Sequence, residues 1–233
     1  MSPAAPPENV NLDAAAPPVP SLPLVWRHFA GFQPYEPLLT EMHAHATAIR
    51  QDAAAEAVWL LEHEAVYTGG TSAKPHDFLA PRNVRILHVG RGGQWTWHGP
   101  GQRVAYVMLD LSRRGQDVRA LVSGLESWII ASLAAFGIDG QRRDGLPGIW
   151  VKNGKSHSGL DKIAAIGIRI SRWVSWHGIA INLDPDLAAF DAIVPCGVHD
   201  GGVTSFADLG VNASMDDLDH VLKAQFSVFF RNT

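Results

Sequence analysis

The stretch from Asp161 to Gly197 constrains the fold of this chain more than any other part of the sequence. It contains two long apolar runs, DKIAAIGIRI and WVSWHGIAINL, and it ends with IVPCG. Runs of this length and composition are typical of buried β-strands. We therefore expect strands here, followed by a Pro-Cys-Gly turn that contains Cys196, the only cysteine of the chain.

Lys162 opens the first of these strands, and its position suggests a chemical role together with Cys196. With a period of two, its face of the strand also holds Ala164, Ile166, Ile168 and Ile170. An amine on such a face points inward, where burial favours the neutral form, and a nearby ammonium favours thiolate over thiol. The pair therefore predicts an activated nucleophile with a proton shuttle. Taken singly, a lone cysteine is more often a small buried apolar residue, and a strand-initial lysine is more often solvated.

Composition excludes several classes of protein. A chain of 233 residues suffices for one large domain or two small ones, and its net charge of −4 gives no sign of a nucleic-acid or membrane surface. A single cysteine excludes an internal disulfide framework and fits a cytoplasmic location. The Ala/Pro-rich residues 1–23 lack the features of a signal peptide, so we expect a disordered leader before a folded domain over residues 24–233.

The apolar pattern predicts an α+β domain with a mixed or antiparallel sheet backed by helices. Strands are expected at LVWRHF, AVWLLEH, VRILHV and RVAYVMLDL, and helices over residues 36–54 and 121–136. Ser214 and Asp217 predict a capping box at the start of a closing helix. Tyr67 to Gly70 predicts a loop that lines a pocket, for which a plain glycine turn is the alternative. The polar segment KNGKSHSGLD predicts a hairpin loop.

The segment RGGQWTWHGPGQ, residues 91–102, has too many glycines for a regular element. Gly92 and Gly93 allow the backbone to approach a ligand or another segment closely. Two interpretations remain open. One is a binding loop, in which Arg91 and His98 make polar contacts beside a wall of tryptophans. The other is a tight hairpin in which His98 bonds the backbone.

These motifs together resemble the signature of the lipoyl(octanoyl) transferases, in the biotin/lipoate protein ligase superfamily. After RGGQWTWHGPGQ and a tyrosine-containing strand come GIWV, KIAAIGIRI, WHGIAIN and IVPCG with GVTS, in the family's order, over roughly residues 60–205. The resemblance implies a ligase-like single domain that moves an octanoyl (lipoyl) group from acyl carrier protein to a lysine of a lipoyl domain. The acceptors would be 2-oxoacid dehydrogenase complexes or the glycine cleavage H protein. No ATP or other cofactor is implied, because the donor is already a thioester.

The resemblance also implies roles for individual residues. Cys196 matches the family's nucleophile, and Lys162 matches the lysine that activates it. The acyl-binding segments match Arg91, Gly92, Gly93, Gln94, Trp95, Thr96, Trp97 and His98, then Ala165, Ile166 and Gly167, and then Gly178, Ile179 and Ala180. Tyr67 and His177 are possible further site residues, although His177 also fits a satisfied histidine in the core.

Three tryptophans depart from the family's pattern. Trp95, Trp97 and Trp176 stand where smaller or tyrosine-like residues are usual, which leaves the preferred acyl chain length open. Two other functions share the fold: an ATP-dependent lipoate or biotin ligase, and a non-catalytic relative that binds acyl carrier protein or lipoyl domains. The pairing of Lys162 with Cys196 argues against both. With one cysteine and no HExxH motif, we expect no metal site.

Overall fold

The computed structural model describes residues 24–80, 83–194 and 201–230, and these residues adopt the predicted α+β fold. Seven strands form a mixed sheet in the order β1-β2-β6-β9-β8-β10, with β7 beside β8, and three form a second sheet in the order β4-β3-β5. The strands are β1 (Val25–Gln33), β2 (Ala57–His63), β3 (Val66–Gly69), β4 (Arg85–His88), β5 (Trp95–His98), β6 (Gln102–Met108), β7 (Ile149–Lys152), β8 (Leu160–Ser171), β9 (Val174–Asn182) and β10 (Gly202–Val203). The described helices are α1 (Tyr35–Arg50), α2 (Val118–Ala134) and α3 (Met215–Phe229).

The large sheet is covered on both faces, because alternate side chains of its strands pack against different helices. In β2, Val58 and Leu60 join the cluster that contains the apolar faces of α2 and α3. Trp59 and Leu61 join the cluster that contains the apolar face of α1. Burial on both faces explains why the central strands are continuously apolar. The residues between the two helical layers therefore form the core that holds the sheet in place.

The helix ends follow local signals that the sequence shows in part. Ser214 and Asp217 form the predicted capping box at the start of α3. The apolar stripe predicted over residues 121–136 forms α2, and Gly137 follows it in a left-handed conformation with φ 75°. The helix predicted over residues 36–54 ends earlier, at Arg50, because Asp52 adopts a left-handed φ of 56° and the chain turns there.

The segment from Tyr67 to Gly70 does not form the loop that was predicted there. Val66–Gly69 is not a loop but strand β3, which pairs in parallel with β4 and antiparallel with β5. The adjacent glycines mark only the end of this strand. In the described part of the chain, no helix has both the length and the apolar character needed to cross a membrane.

Candidate active site

Three segments that are far apart in the sequence meet around one pocket of about 460 Å³, a volume that includes its open mouth. The loop before β5 and β5 itself form one side, β8 and β9 form another, and residues of α1 and β6 complete the lining. The predicted residues that line the pocket are Arg91, Gly93, Gln94, Trp95, Thr96, His98, Ala165, Ile166, Gly167, Gly178, Ile179 and Ala180. The structure thus brings the predicted segments together, and only Gly92 and Trp97 among them do not line the pocket.

Strand pairing explains why residues 165–167 and residues 178–180 lie side by side. Ala165 lies opposite Ala180, and Gly167 lies opposite Gly178, in the antiparallel register of β8 and β9. Gly178 must be a glycine, because a Cβ there would overlap the backbone of Ala105 in the next strand. At Gly167, a Cβ would lie 3.1 Å from Cδ of Arg91, so a glycine lets the loop before β5 pack directly on β8.

Arg91 holds that loop in place from a buried position. Its guanidinium donates hydrogen bonds to the backbone oxygen of Thr68 at 2.7 Å and to the Thr68 hydroxyl at 2.8 Å. Gly92 attaches the loop to the sheet, because its N–H donates to the backbone oxygen of Ile168 at 2.9 Å. Gly92 therefore does not line the pocket. It allows two backbone segments to approach closely, which is one of the roles predicted for this glycine.

Tyr67 and Trp97 lie elsewhere, in a separate apolar cluster. They are cross-strand partners in β3 and β5, so their side chains share the face that points away from the pocket. The Tyr67 hydroxyl donates to the backbone oxygen of Ala189 at 2.7 Å, and the Trp97 ring meets Phe190 edge-on at 5.6 Å. Trp176 lines a different groove, between α1 and the β8–β9 hairpin. Of the three unusual tryptophans, Trp95 alone lines the pocket.

Lys162 is buried, as predicted, but it lies on the other face of β8 from the one that its spacing indicates. Ile149 of β7 pairs with Ala164, whereas the next residue, Trp150, pairs with Lys162, so β8 bulges at Ile163. Because neighbouring residues of β7 face opposite sides, Lys162 and Ala164 also face opposite sides. The Nζ atom of Lys162 accordingly lies over the Trp150 ring, 5.1 Å from its centroid.

A small cavity beside Lys162 shares lining residues with the pocket. It is lined by Lys162 together with Thr96 and Ala165, which also line the pocket, and by Gln102 and Asn182. A chain of hydrogen bonds fixes its polar side. His98 Nδ1–H donates to Gln102 Oε1 at 2.7 Å, the Gln102 amide donates to Asn182 Oδ1 at 2.9 Å, and the Asn182 amide donates to a backbone oxygen at 2.9 Å. The amine of Lys162 is therefore next to the end of the pocket formed by Thr96 and Ala165.

Cys196 lies in residues 195–200, outside the described residues. The described chain resumes beside Lys162, since Val203 of β10 pairs with it and the Thr204 N–H donates to its backbone oxygen at 3.0 Å. Asp161 fixes this return, because its side chain accepts a hydrogen bond from the Gly202 N–H at 3.0 Å. The contact between Lys162 and Cys196 thus stays a prediction.

Comparison with known proteins agrees with this architecture. The profile of the lipoyl protein ligase A/B catalytic domain matches residues 33–227. The octanoyltransferase of Chelativorans sp. is 54% identical over 217 residues, which cover 91% of this chain and 88% of that protein. The octanoyltransferase of Cereibacter sphaeroides is 52% identical, with 88% and 97% covered. The chain belongs to the octanoyltransferase family. It is therefore an acyltransferase.

Solved structures of more distant proteins share the fold of this octanoyltransferase-family chain. A bipartite lipoate protein ligase from Thermoplasma acidophilum has a TM-score of 0.63 at 16% identity, with 88% of this chain and 82% of that chain covered. Lipoate-protein ligase A with bound ATP has a TM-score of 0.62 at 16% identity, with 87% and 84% covered. The ligase-like fold implied by the resemblance is confirmed.

Three further residues line this pocket, and the sequence motifs did not predict them: Tyr35, Val104 and Tyr106. Val104 and Tyr106 lie opposite Ala180 and Gly178 in the pairing of β6 with β9, so the period of two in β6 was a usable signal for them. Tyr35 starts α1, and nothing in its local sequence indicates a place in the pocket.

The missed tyrosines belong to a buried hydrogen-bonded chain. His63 Nδ1–H donates to the backbone oxygen of Gln33 at 2.8 Å, so its Nε2 accepts from the Tyr106 hydroxyl at 2.6 Å. The Tyr106 hydroxyl is also hydrogen-bonded to the Tyr35 hydroxyl. Burial raises the pKa of both tyrosines, so both hydroxyls keep their protons. This chain fixes the rings that form the pocket wall contributed by β6 and α1.

The histidines around the pocket are held neutral. Burial lowers the pKa of His63 to about 4, and it lowers the pKa of His177 to about 3, with the charge of Arg91 as the next cause for His177. For His98, burial and then the neighbouring His63 and Arg91 hold the pKa well below 6.5. A neutral imidazole has one donor and one acceptor nitrogen, so these rings can bind polar groups without adding charge.

His177 lines the pocket, and it is not the satisfied core histidine that was the alternative interpretation. Its φ of 60° is left-handed, and this conformation turns the ring onto the pocket side, where it stacks on the Trp176 ring with 4.7 Å between centroids. The ring is buried, and neither of its nitrogens has a hydrogen-bond partner among the described residues. A strained backbone and an unsatisfied buried ring cost stability, which is typical of residues kept for a site.

Proposed function

We propose that this chain transfers an octanoyl (lipoyl) group from acyl carrier protein to a lysine of a lipoyl domain. The acceptors are 2-oxoacid dehydrogenase complexes or the glycine cleavage H protein, as in protein lipoylation. Relatives at 54% and 52% identity are named octanoyltransferases, which supports this choice. The observation that carries the proposal is the position of Lys162 beside a pocket that the three expected acyl-binding segments form together.

The first step forms an acyl-enzyme. Cys196 gives its proton to the neutral amine of Lys162, and the thiolate attacks the thioester carbonyl of the donor. A new carbon–sulfur bond forms, the bond to the phosphopantetheine sulfur breaks, and the Lys162 ammonium protonates the leaving thiolate. The octanoyl chain then lies in the pocket, where Val104, Ala165 and Ala180 offer apolar surface.

The second step transfers the acyl group to the acceptor. The lysine of the lipoyl domain attacks the acyl-enzyme thioester as a neutral amine, and Lys162 accepts the proton that this nitrogen loses. The carbon–sulfur bond to Cys196 breaks, an amide forms, and the proton returns to the cysteine sulfur. The burial of Lys162 suits this role, because an amine shielded from water exchanges its proton within the site.

The test is a transfer assay with purified octanoyl-acyl carrier protein and a purified lipoyl domain. We expect the lipoyl domain to gain one octanoyl group by mass spectrometry when no ATP is present. A second reaction holds octanoate and ATP in place of the acyl carrier protein. Modification in that reaction alone would assign the chain to the ATP-dependent ligases. No modification in either reaction would leave the function as binding without turnover.

A further inference from the structure

The polar end of the pocket is not explained by an all-carbon acyl chain. His177 lines the pocket with both ring nitrogens buried and unpaired among the described residues, and it is about 1% exposed. Gln94 lines the same pocket, and its Oε1 is also buried without a hydrogen-bond partner there. Buried polar atoms are nearly always paired, so three unpaired atoms on one pocket indicate a ligand that supplies partners.

The position of His177 shows which part of an acyl chain would meet it. A Cβ on Gly148 would lie 3.1 Å from Nζ of Lys162 and would touch the backbone of Ala164, which places the amine near the level of Ala164 on β8. His177 pairs with Ile168, four residues further along β8, or about 13 Å away. An extended eight-carbon chain spans about 9 Å from its carbonyl carbon to its last carbon, which is about 4 Å less than this distance. With its carbonyl carbon near Lys162, such a chain would reach His177 through a polar substituent on its last carbons, because one C–O bond and one hydrogen bond together span about 4 Å.

We propose that the pocket takes acyl chains that have a hydrogen-bonding substituent on their distal carbons, and that His177 is the specificity-determining residue that binds this substituent. A hydroxyl group offers one donor and two acceptor lone pairs, which complement the donor and acceptor nitrogens of the neutral ring and the acceptor oxygen of Gln94. This inference rests on the proposed function, because it places the carbonyl carbon beside Lys162.

The left-handed backbone supports the same conclusion. With an ordinary extended φ, the side chain of His177 would alternate to the face opposite Trp176. The observed φ of 60° instead brings the two rings into a stack on the pocket side. Neither the strain nor the burial of an unpaired ring contributes to stability, so a function at the bound ligand accounts for both.

The first test compares two donors on the wild-type enzyme, octanoyl-acyl carrier protein and ω-hydroxyoctanoyl-acyl carrier protein. We expect the values of kcat/KM for the two to agree within about threefold, because the hydroxyl exchanges its hydrogen bonds to water for bonds to the site. An apolar pocket end would instead lower kcat/KM for the hydroxylated donor by about tenfold or more, since a buried hydroxyl without a hydrogen-bond partner costs free energy. Binding of free octanoate and ω-hydroxyoctanoate, measured by calorimetry, gives the same comparison without turnover.

The second test changes the ring. Phenylalanine has a similar size but no ring nitrogens. In His177→Phe, we expect the kcat/KM for the hydroxylated donor, divided by that for the octanoyl donor, to fall at least tenfold relative to wild type. His177→Asn tolerates a left-handed φ and has a donor and an acceptor, so it should retain more of the ratio. His43→Phe is the matched control, because His43 contacts Trp176 from the neighbouring groove and does not line the pocket. The control should keep the wild-type ratio.

The outcomes are distinct. Wild-type enzyme that uses the octanoyl donor but discriminates more than tenfold against the hydroxylated donor overturns the inference and leaves the proposed function intact. An unchanged ratio in His177→Phe, or in Gln94→Leu should His177→Phe not fold, also overturns it. Enzyme that transfers neither chain overturns the proposed function. If neither chain is transferred, equal binding of the two free acids would still support a polar pocket end. Unequal binding would remove that support.

Discussion

The face of β8 on which Lys162 lies depends on how β8 pairs with β7. Its spacing in the strand indicates burial, and the residue is buried, but the spacing assigns it to the wrong face. The cause is the bulge at Ile163, which arises from pairing with β7 and leaves no mark in the sequence of β8 itself. For His177, the sequence left a site residue and a core histidine as alternatives, and its left-handed φ accompanies a ring that lines the pocket. Both cases involve local irregularities that a period of two cannot detect.

Replacement of Lys162 by methionine tests its proposed role. Methionine fills similar space without an amine, so we expect Lys162→Met to lower the rate of octanoyl transfer by about 10²–10⁴-fold, the usual contribution of a positioned acid/base. The fold should persist, because methionine keeps the buried apolar stem of the side chain. Steady-state transfer kinetics, with melting temperatures of both proteins, provide the measurement.

Lys152→Met is the matched control for that variant. Lys152 lies at the exposed end of β7, and it does not line the pocket or the cavity beside it. We expect its transfer rate to equal that of wild type. Equal rates in all three proteins would contradict a role for the Lys162 amine in the reaction.

At the scale of elements, most of the fold follows from periodicity. AVWLLEH forms β2 with the predicted bounds, and the apolar stripe that ends near Gly137 forms α2. Val66–Gly69 was missed because it is short and ends in glycines, and its strand character depends on pairing with β4 and β5. The order of the strands, which brings residues 91–98 beside residues 165–167 and 178–180, cannot be read from any of these segments alone. The resemblance to a family supplied that information.

A buried ion pair connects β6 to α3 and can be tested. Arg103 Nε lies 2.9 Å from Asp219 Oδ1, with both side chains more than 90% buried. Burial raises the pKa of Asp219, while the charge of Arg103 opposes this shift. Arg103→Met would leave the carboxylate buried without its arginine, so we expect the free energy of unfolding to fall by about 3 kcal/mol. Urea denaturation at pH 7 measures this change.

Two further variants separate this explanation from a simple loss of packing. Adding Asp219→Asn to Arg103→Met removes the buried charge and should restore part of the lost stability. Arg142→Met breaks an exposed ion pair with Glu126 and should change the free energy of unfolding by less than about 1 kcal/mol. If Arg103→Met costs no more than Arg142→Met, the ion pair does not hold α3 to the sheet.

At the scale of the whole molecule, the neutral histidines of the pocket make stability depend on pH. His63 and His177 have pKa values of about 4 and about 3 in the folded protein, and His98 has a pKa well below 6.5, against about 6.5 for each in the unfolded chain. Below pH 6.5 the unfolded chain therefore binds more protons than the folded protein does. The stability that the neutral histidines contribute is complete above this pH and is lost as the pH falls toward 4.

His63 and His177 should each lower the free energy of unfolding by about 1.4 kcal/mol at pH 5.5 relative to neutral pH, and His98 should lower it further. Denaturation curves at pH 7.5 and 5.5 measure the sum. His177→Asn should have a shallower dependence, and His43→Asn, which changes an exposed histidine, should keep the wild-type slope. Equal stability of the wild type at both pH values would contradict the burial of these rings in neutral form.

The proposed mechanism requires a covalent acyl-enzyme at Cys196 whose formation depends on Lys162. The most direct measurement is the intact mass of the enzyme after incubation with octanoyl-acyl carrier protein alone. We predict a gain of one octanoyl group that hydroxylamine removes, that Cys196→Ser lacks, and that forms slowly or not at all in Lys162→Met. An enzyme that stays unmodified under conditions in which it octanoylates a lipoyl domain would contradict covalent catalysis.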